Sequence, residues 1–273
     1  MIYGRSWSSV SNFSKEHKKY LLNIKRDTKI VRISQILIFV LFFGIWQISA
    51  SFGLIDTFLT SSPLKIVSMV KTFISNGSLL NHIYVSTMET IAGFLLGTIV
   101  GIVVAILLWM SKRSARIFEP YLIVLNSLPK TALAPIIILW AGAGFSGIVV
   151  TAASISVVVT TLSVYTGFIN VEQDKVTLLK SFGANKLQIL HKLIIPANIP
   201  MLLSVIKVNI GLSWVGVIVG EFLVSKAGIG YLIVYGSQVF KLDLVMMGVF
   251  VLAIIAAVMY YVALLLEKKL IKY

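Results

Sequence analysis

The chain has 273 residues, 58% of them hydrophobic and 12% charged, against roughly 45–50% and 25% in soluble domains. That balance excludes a soluble fold, because a chain of this length cannot bury so much apolar surface and a bilayer must cover the rest. The net charge of +14 would suggest nucleic acid in a soluble protein, but here its placement along the chain decides its meaning; the absence of cysteine excludes disulfides and thiolate metal sites.

Residues 1–32 form a basic segment ahead of the first apolar run. The segment is too long for the usual leader of a cleaved signal peptide, so the first span is expected to be a retained anchor. Residues 33–273 then read as one membrane domain. A crossing helix needs about 20 apolar residues at 1.5 Å rise each. Six stretches qualify or nearly qualify: 33–54, 85–110, 121–142, 148–168, 199–222 and 244–266.

After the first span, Ser62-Pro63 has the form of a helix cap followed by proline. A short helix over 64–75 is expected on the outer membrane surface, stopped by Asn76-Gly77. The second span carries Gly93, Gly97 and Gly101, and the fifth carries Gly216 and Gly220. Small residues at this spacing let helix backbones approach closely in lipid. The third span contains Pro129, Lys130 and Pro135 and is expected to be broken. Gly142, Gly144 and Gly147 match G-x-G-x-x-G, a dinucleotide pattern only between a strand and a helix; between two spans it reads as a tight turn.

Eighteen of the 24 basic residues fall before the first span, after the second, between the fourth and fifth, and after the last. The opposite loops hold Lys65, Lys71, Lys226 and Lys241. Both ends and the two basic loops are therefore expected in the cytoplasm, and the charge needs no nucleic acid to explain it. His17, His82 and His191 have no ligand spacing, so no metal site is expected. There is no phosphate-loop pattern, and no serine, histidine and aspartate set converges within the spans. The only acidic residues inside spans, Glu89 and Glu221, sit near the outer ends, so the residues of an intramembrane protease are missing. No catalytic residue and no cofactor site is assigned.

Charges inside spans call for an account, since each costs about 2.5–3.5 kcal/mol or more at the centre. Lys130 and Lys207 either line a solute path and attract anions, or snorkel or pair with carbonyls. Lys207, near the cytoplasmic boundary, suits snorkelling. Lys130, at a broken helix, suits a cavity. Glu221 is a third candidate, near an outer gate.

The segment 171–200 is the most informative. Glu172 and Asp174 favour a helix start, Gly183 ends a two-turn helix, and a second helix over 186–193 carries apolar Leu187, Leu190 and Leu193. Pro196 and Pro200 lead into the fifth span. A helix–Gly–helix element on the cytoplasmic face is shaped to be gripped by another protein.

Here the chain resembles the membrane subunits of bacterial binding-protein-dependent ABC importers. Those carry Glu-Ala-Ala, three residues, Gly, nine residues, then Ile-x-Leu-Pro. This chain has Thr177-Leu178-Leu179, three residues, Gly183, nine residues, then Leu193-Ile194-Ile195-Pro196. The spacing, Gly183 and Pro196 match, and the Glu-Ala-Ala is replaced. Gly93-Phe94, the run from Leu128 to Pro135 leading to Trp140 and Gly142, Gly220-Glu221, and the run from Ala227 to Tyr231 are similar to the nitrate, sulfonate and taurine branch. Glu89 departs from the arginine of many sulfonate-type members.

The resemblance implies an all-α, polytopic permease of the type I importer fold with a cytoplasmic coupling helix, in a bacterial cell membrane. It implies no catalysis by this chain and no cofactor of its own, ATP being bound by separate ATPase subunits. It implies docking on those ATPases through Thr177, Leu178, Leu179, Gly183, Ala184, Leu193, Ile195 and Pro196. Delivery by an extracellular solute-binding protein and a homodimer or a pair of close relatives around the path are implied as well. The solute implied is small, such as a sulfonate, taurine, nitrate, pyrimidine or vitamin precursor. The alternative is a self-sufficient carrier or channel, a class that tends to show internal repeats; none is evident.

Overall fold

A computed structural model describes residues 15–270, all of them helix, turn or loop, with no strand among the described residues. In chain order the helices are α1 (Lys15–Ser51), α2 (Thr57–Thr60), α3 (Pro63–Ser75), α4 (Ser78–Met110), α5 (Lys112–Ser127), α6 (Lys130–Ala141) and α7 (Phe145–Ile169). There follow α8 (Gln173–Ser181), α9 (Lys186–Ile189), α10 (Ile195–Ala197), α11 (Ile199–Val224), α12 (Ile229–Gln238) and α13 (Leu242–Leu270). The chain divides into one unit up to Leu64 and a second from Lys65. In the first, the long helix α1 leaves apolar residues exposed along its C-terminal half, as suits a lipid-facing span. Asp56 caps α2 by accepting from the Phe58 N–H at 2.8 Å.

Five helices are long and apolar enough to cross a membrane, within Lys19–Ser51, Ser78–Met110, Phe145–Ile169, Ile199–Val224 and Leu242–Lys269. They match five of the six expected spans. The sixth, 121–142, is instead α5 and α6 bent by 103° at Leu128-Pro129. Proline removes a helical N–H and drives its predecessor out of the helical region. Leu128 accordingly lies at φ −69°, ψ 141°. The bent pair makes a sixth crossing only if its two arms count as one span.

The second unit is built on α4, α7 and α11, where small residues bring backbones together. A Cβ on Gly93 would lie 2.6 Å from the Ala152 Cβ, and one on Gly101 would lie 2.5 Å from the Thr160 Cβ. One on Gly97 would overlap the Ser156 hydroxyl. Four-residue steps on α4 thus meet four-residue steps on α7 in parallel. Gly216 and Gly220 of α11 meet Ala152 and Ile148 in the opposite sense. Polar groups join the same three helices. The Asn209 amide donates to the Thr98 and Thr160 hydroxyls at 2.9 and 2.7 Å, all three being buried. Such bonds between helices in lipid contribute about 0.6–2 kcal/mol each.

The expected helix after Ser62 is α3, starting at Pro63, and Gly77 stops it at φ +72°. The glycine pattern covers the turn between α6 and α7, residues 142–144, and the first residues of α7, with Gly142 and Gly144 at φ +90° and +101°. No reading of the sequence anticipated α2 or α12.

Candidate functional site

The segment 171–200 folds as helix, Gly, helix. The sequence specifies the turn closely. After α8, Gly183 adopts φ +78°; its N–H donates to the Lys180 carbonyl at 2.9 Å and that of Ala184 to Leu179 at 3.0 Å. These two bonds are those of a Schellman motif, which glycine enters without strain. Asn185 then caps α9. Its Oδ1 accepts from the Gln188 N–H at 2.9 Å, while Gln188 Oε1 accepts from the Asn185 N–H at 2.8 Å, a reciprocal capping box. Pro196 cannot donate to the carbonyl one turn back, and the helix ahead of it widens into a π turn over Leu190–Ile194. The Asn198 amide satisfies the Ile194 carbonyl at 2.8 Å where α11 begins.

One side of this segment is a core. Val176, Ile189, Leu190 and Ile194 are buried against Ala105 of α4, Val164 and Phe168 of α7 and Val205 of α11, so the loop is fixed to the ends of three helices. Leu179, Ala184, Leu193 and Ile195 pack half-buried on that core. Thr177, Leu178, Gly183 and Pro196 are exposed. The other side is apolar and open: Leu178 is 56%, Phe182 79% and Leu187 60% exposed. Of the three leucines of the second helix, Leu187 is thus exposed, while Leu190 is buried and Leu193 half-buried. Phe182 was not singled out from the sequence. Its position next to the helix-ending glycine was the available signal.

The in-span charges are placed as follows. Lys130 Nζ donates to the Asn126 carbonyl and Oδ1 at 3.0 and 3.2 Å, so it caps the end of α5 across the break. Lys207 of α11 pairs with Glu267 of α13, with Nζ 3.0 and 2.9 Å from the two carboxylate oxygens and both side chains about one-fifth exposed. This partner was missed because Glu267 lies just past the end of the last apolar run. Neutralising Lys207 or Glu267 alone is expected to cost about 1–2 kcal/mol, and neutralising both less than the sum. Thermal melts of Lys207→Met, Glu267→Gln and the double variant in detergent check this; strict additivity would mean that the two charges do not interact.

Glu221, 1% exposed, is at the opposite end of α11 from this loop. There the start of α12 is held by side chains of α4 and α11. The Gly228 N–H donates to His82 Nδ1 at 2.9 Å, that of Ile229 to Ser86 Oγ at 2.7 Å, and that of Gly230 to Glu221 Oε2 at 2.5 Å. The Tyr231 N–H also reaches Glu221, and the Ser86 hydroxyl donates to Glu221 Oε1 at 2.5 Å. All the orphan donors at this helix start thus have acceptors. The Glu89 carboxyl lies against that of Glu221. Glycine is required around it, because a Cβ on Gly228 or Gly230 would run into the Glu221 side chain. Among the described residues no group of three or more His, Cys, Asp or Glu side chains is arranged to hold a metal ion.

The profile of the family described as binding-protein-dependent transport system inner membrane component matches residues 97–272. The putative aliphatic sulfonates transport permease protein SsuC of Bacillus subtilis is 28% identical over 84% of this chain and 83% of its own length. The formylaminopyrimidine transport permease protein ThiX of Halalkalibacterium halodurans is 28% identical over 71% of this chain and 77% of its own. The riboflavin transport system permease protein RibX of Chloroflexus aurantiacus is 27% identical over 84% and 85%. Among solved structures, a chain of the inward-facing MetNI methionine ABC transporter superposes with a TM-score of 0.63 at 14% identity, covering 72% of this chain and 98% of that one. That likeness carries the fold.

Proposed function

Because the chain belongs to the family of binding-protein-dependent transport system inner membrane components, we propose that it is the membrane-spanning permease subunit of an ATP-driven importer in a bacterial cell membrane, with both ends in the cytoplasm. It contributes the path, and cytoplasmic ATPase subunits supply the energy. An extracellular binding protein delivers the solute, and a second copy of the chain completes the path. The solute is a small organic molecule, anionic or of the vitamin-precursor kind. Relatives of similar identity are named for aliphatic sulfonates, a formylaminopyrimidine and riboflavin, so the family narrows it no further.

The observation that carries this reading is the exposed apolar face of Leu178, Phe182 and Leu187 on a loop whose other face is packed into the helix ends. A push on that face is transmitted to α4, α7 and α11 because the segment is fixed by a Schellman turn, a capping box and a core. ATP-driven closure of the docked ATPases then moves the ends of the three helices together and switches access. With the Glu-Ala-Ala carboxylate absent, docking relies on apolar burial.

Co-purification tests this. The tagged chain is expected to bring an ATPase with it from its native membrane. Leu178→Asp and Phe182→Asp are each expected to weaken that association roughly 30-fold or more, the loss of an interface hot spot. Because both side chains point outward, the melting temperature of the isolated permease should not move. Solute uptake by vesicles holding this chain alone would reject the reading in favour of a self-sufficient carrier.

A further inference from the structure

Where α4 and α7 end, they and the start of α5 enclose a cavity of about 600 Å³ against α8 and α9. Its wall is mostly apolar, with Trp109 and Tyr165 in it, and four cations share it: Lys112, Arg116, Lys180 and Lys186. Lys186 donates to the Met110 carbonyl at 3.1 Å. The other three have no ion pair among the described residues. Of the acidic groups near by, Glu172 is paired with Lys175 on the surface, Asp174 is exposed in the first turn of α8 and does not line the cavity, and Glu119 lies within electrostatic reach of Tyr165, so four lining cations leave the cavity an excess of positive charge.

The two faces of α8 separate this cavity from the docking face. Gln173, Val176 and Lys180, at i, i+3 and i+7, face the cavity. Leu178 and Phe182 project from the opposite side and are exposed. A partner gripping the outer face leaves the cavity free for something else. A small inorganic anion would use the cations and leave the aromatic and aliphatic wall unfilled. An anion carrying an apolar chain uses both, and the ends of membrane-crossing helices are where such molecules are concentrated.

We propose that this cavity binds a phospholipid with an anionic head group, the head group on Lys112, Arg116 and Lys180 and an acyl chain along Trp109 and Tyr165. The site belongs to the leaflet on the cytoplasmic side, which rests on the orientation proposed above. Bound there, the lipid wedges between α8 and the helix ends and stiffens the element that the ATPases move.

The test titrates the full-length permease in neutral detergent with phosphatidylglycerol, phosphatidylcholine and inorganic phosphate, and reads retained lipid by native mass spectrometry. Phosphatidylglycerol is expected to bind in preference to phosphatidylcholine. The variant Arg116→Gln/Lys180→Gln is expected to lose that binding roughly 30-fold. The charge-matched variant Lys192→Gln/Lys268→Gln, outside the cavity, is expected to keep it. Equal retention of the two lipids, or equal loss from both variants, overturns the proposal in favour of diffuse surface attraction. Displacement of the lipid by millimolar phosphate overturns it in favour of a free-anion site. ATPase co-purification from the same preparations separates the two readings: its absence with lipid selectivity intact sinks the permease reading and leaves the lipid site standing.

Discussion

Gly216→Ala is expected to destabilise the permease severely, and removing the neighbouring side chain is expected not to rescue it. Ala152 of α7 is fully buried between two glycines, Gly93 of α4 on one side and Gly216 of α11 on the other. The two close approaches differ in kind. A Cβ on Gly93 would meet the Ala152 Cβ at 2.6 Å and next the Val149 carbonyl at 3.3 Å. A Cβ on Gly216 would overlap the Ala152 Cα itself, with the Ala152 nitrogen 3.1 Å away. The first clash is with a side chain and disappears in Ala152→Gly. The second is with backbone and can be relieved only by moving a helix. Overpacking a tight core costs about 1–3 kcal/mol, and the upper end applies where backbone meets backbone. For a chain of this size about 3 kcal/mol corresponds to a fall in melting temperature of roughly 6–12 °C. Gly93→Ala should fall less, and Gly93→Ala/Ala152→Gly should return to within roughly 2 °C of Ala152→Gly alone. Full rescue of Gly216→Ala by Ala152→Gly would show that α7 and α11 are not in backbone contact at this point.

These glycines mark what was legible in the sequence and what was not. Their four-residue spacing announced close packing, and runs of apolar residues announced five of the spans, because lipid enforces length and composition on any helix that crosses it. The helix–Gly–helix segment was legible for a local reason: Gly183, Asn185 and Gln188 act through bonds within a few residues of themselves. The 103° bend at Pro129 was legible as a break but not as an angle, because proline removes a bond without choosing a direction. Partners distant in sequence were not legible. Lys207 reads alone as an isolated in-span charge, and its answer, Glu267, lies 60 residues on. The outward face of Phe182 and the convergence of Lys112, Arg116 and Lys180 on one cavity likewise depend on how α8 is rotated over the helix ends, which no spacing within α8 determines. Glu221 was legible as a group needing a reason, and the reason is in α4 and α12.

That reason gives the second large effect. Glu221→Ala is expected to cost about 3–5 kcal/mol, because it strands several buried hydrogen-bond donors at once. The substitution leaves the Gly230 and Tyr231 N–H groups without an acceptor and the Ser86 hydroxyl without its bond. Each buried donor so stranded costs about 1–3 kcal/mol. Glu221→Gln keeps the shape and one acceptor oxygen, so its cost should lie between those of the parent and the alanine variant. Glu89→Gln should be nearly neutral, since it puts an amide donor against Glu221 and leaves the bonds to α12 in place. Local loss is distinguishable from global loss by hydrogen exchange: in Glu221→Ala the amides of 228–232 should exchange fastest, while those of α7 stay protected. Unchanged protection at 228–232 together with an unchanged melt would mean that α12 is held by the His82 and Ser86 bonds and apolar packing alone. If Glu221 instead lines the solute path, both alanine and glutamine variants should change uptake with no change in either measurement. Stability and transport of the same two variants therefore decide whether the carboxylate anchors α12 or meets the solute.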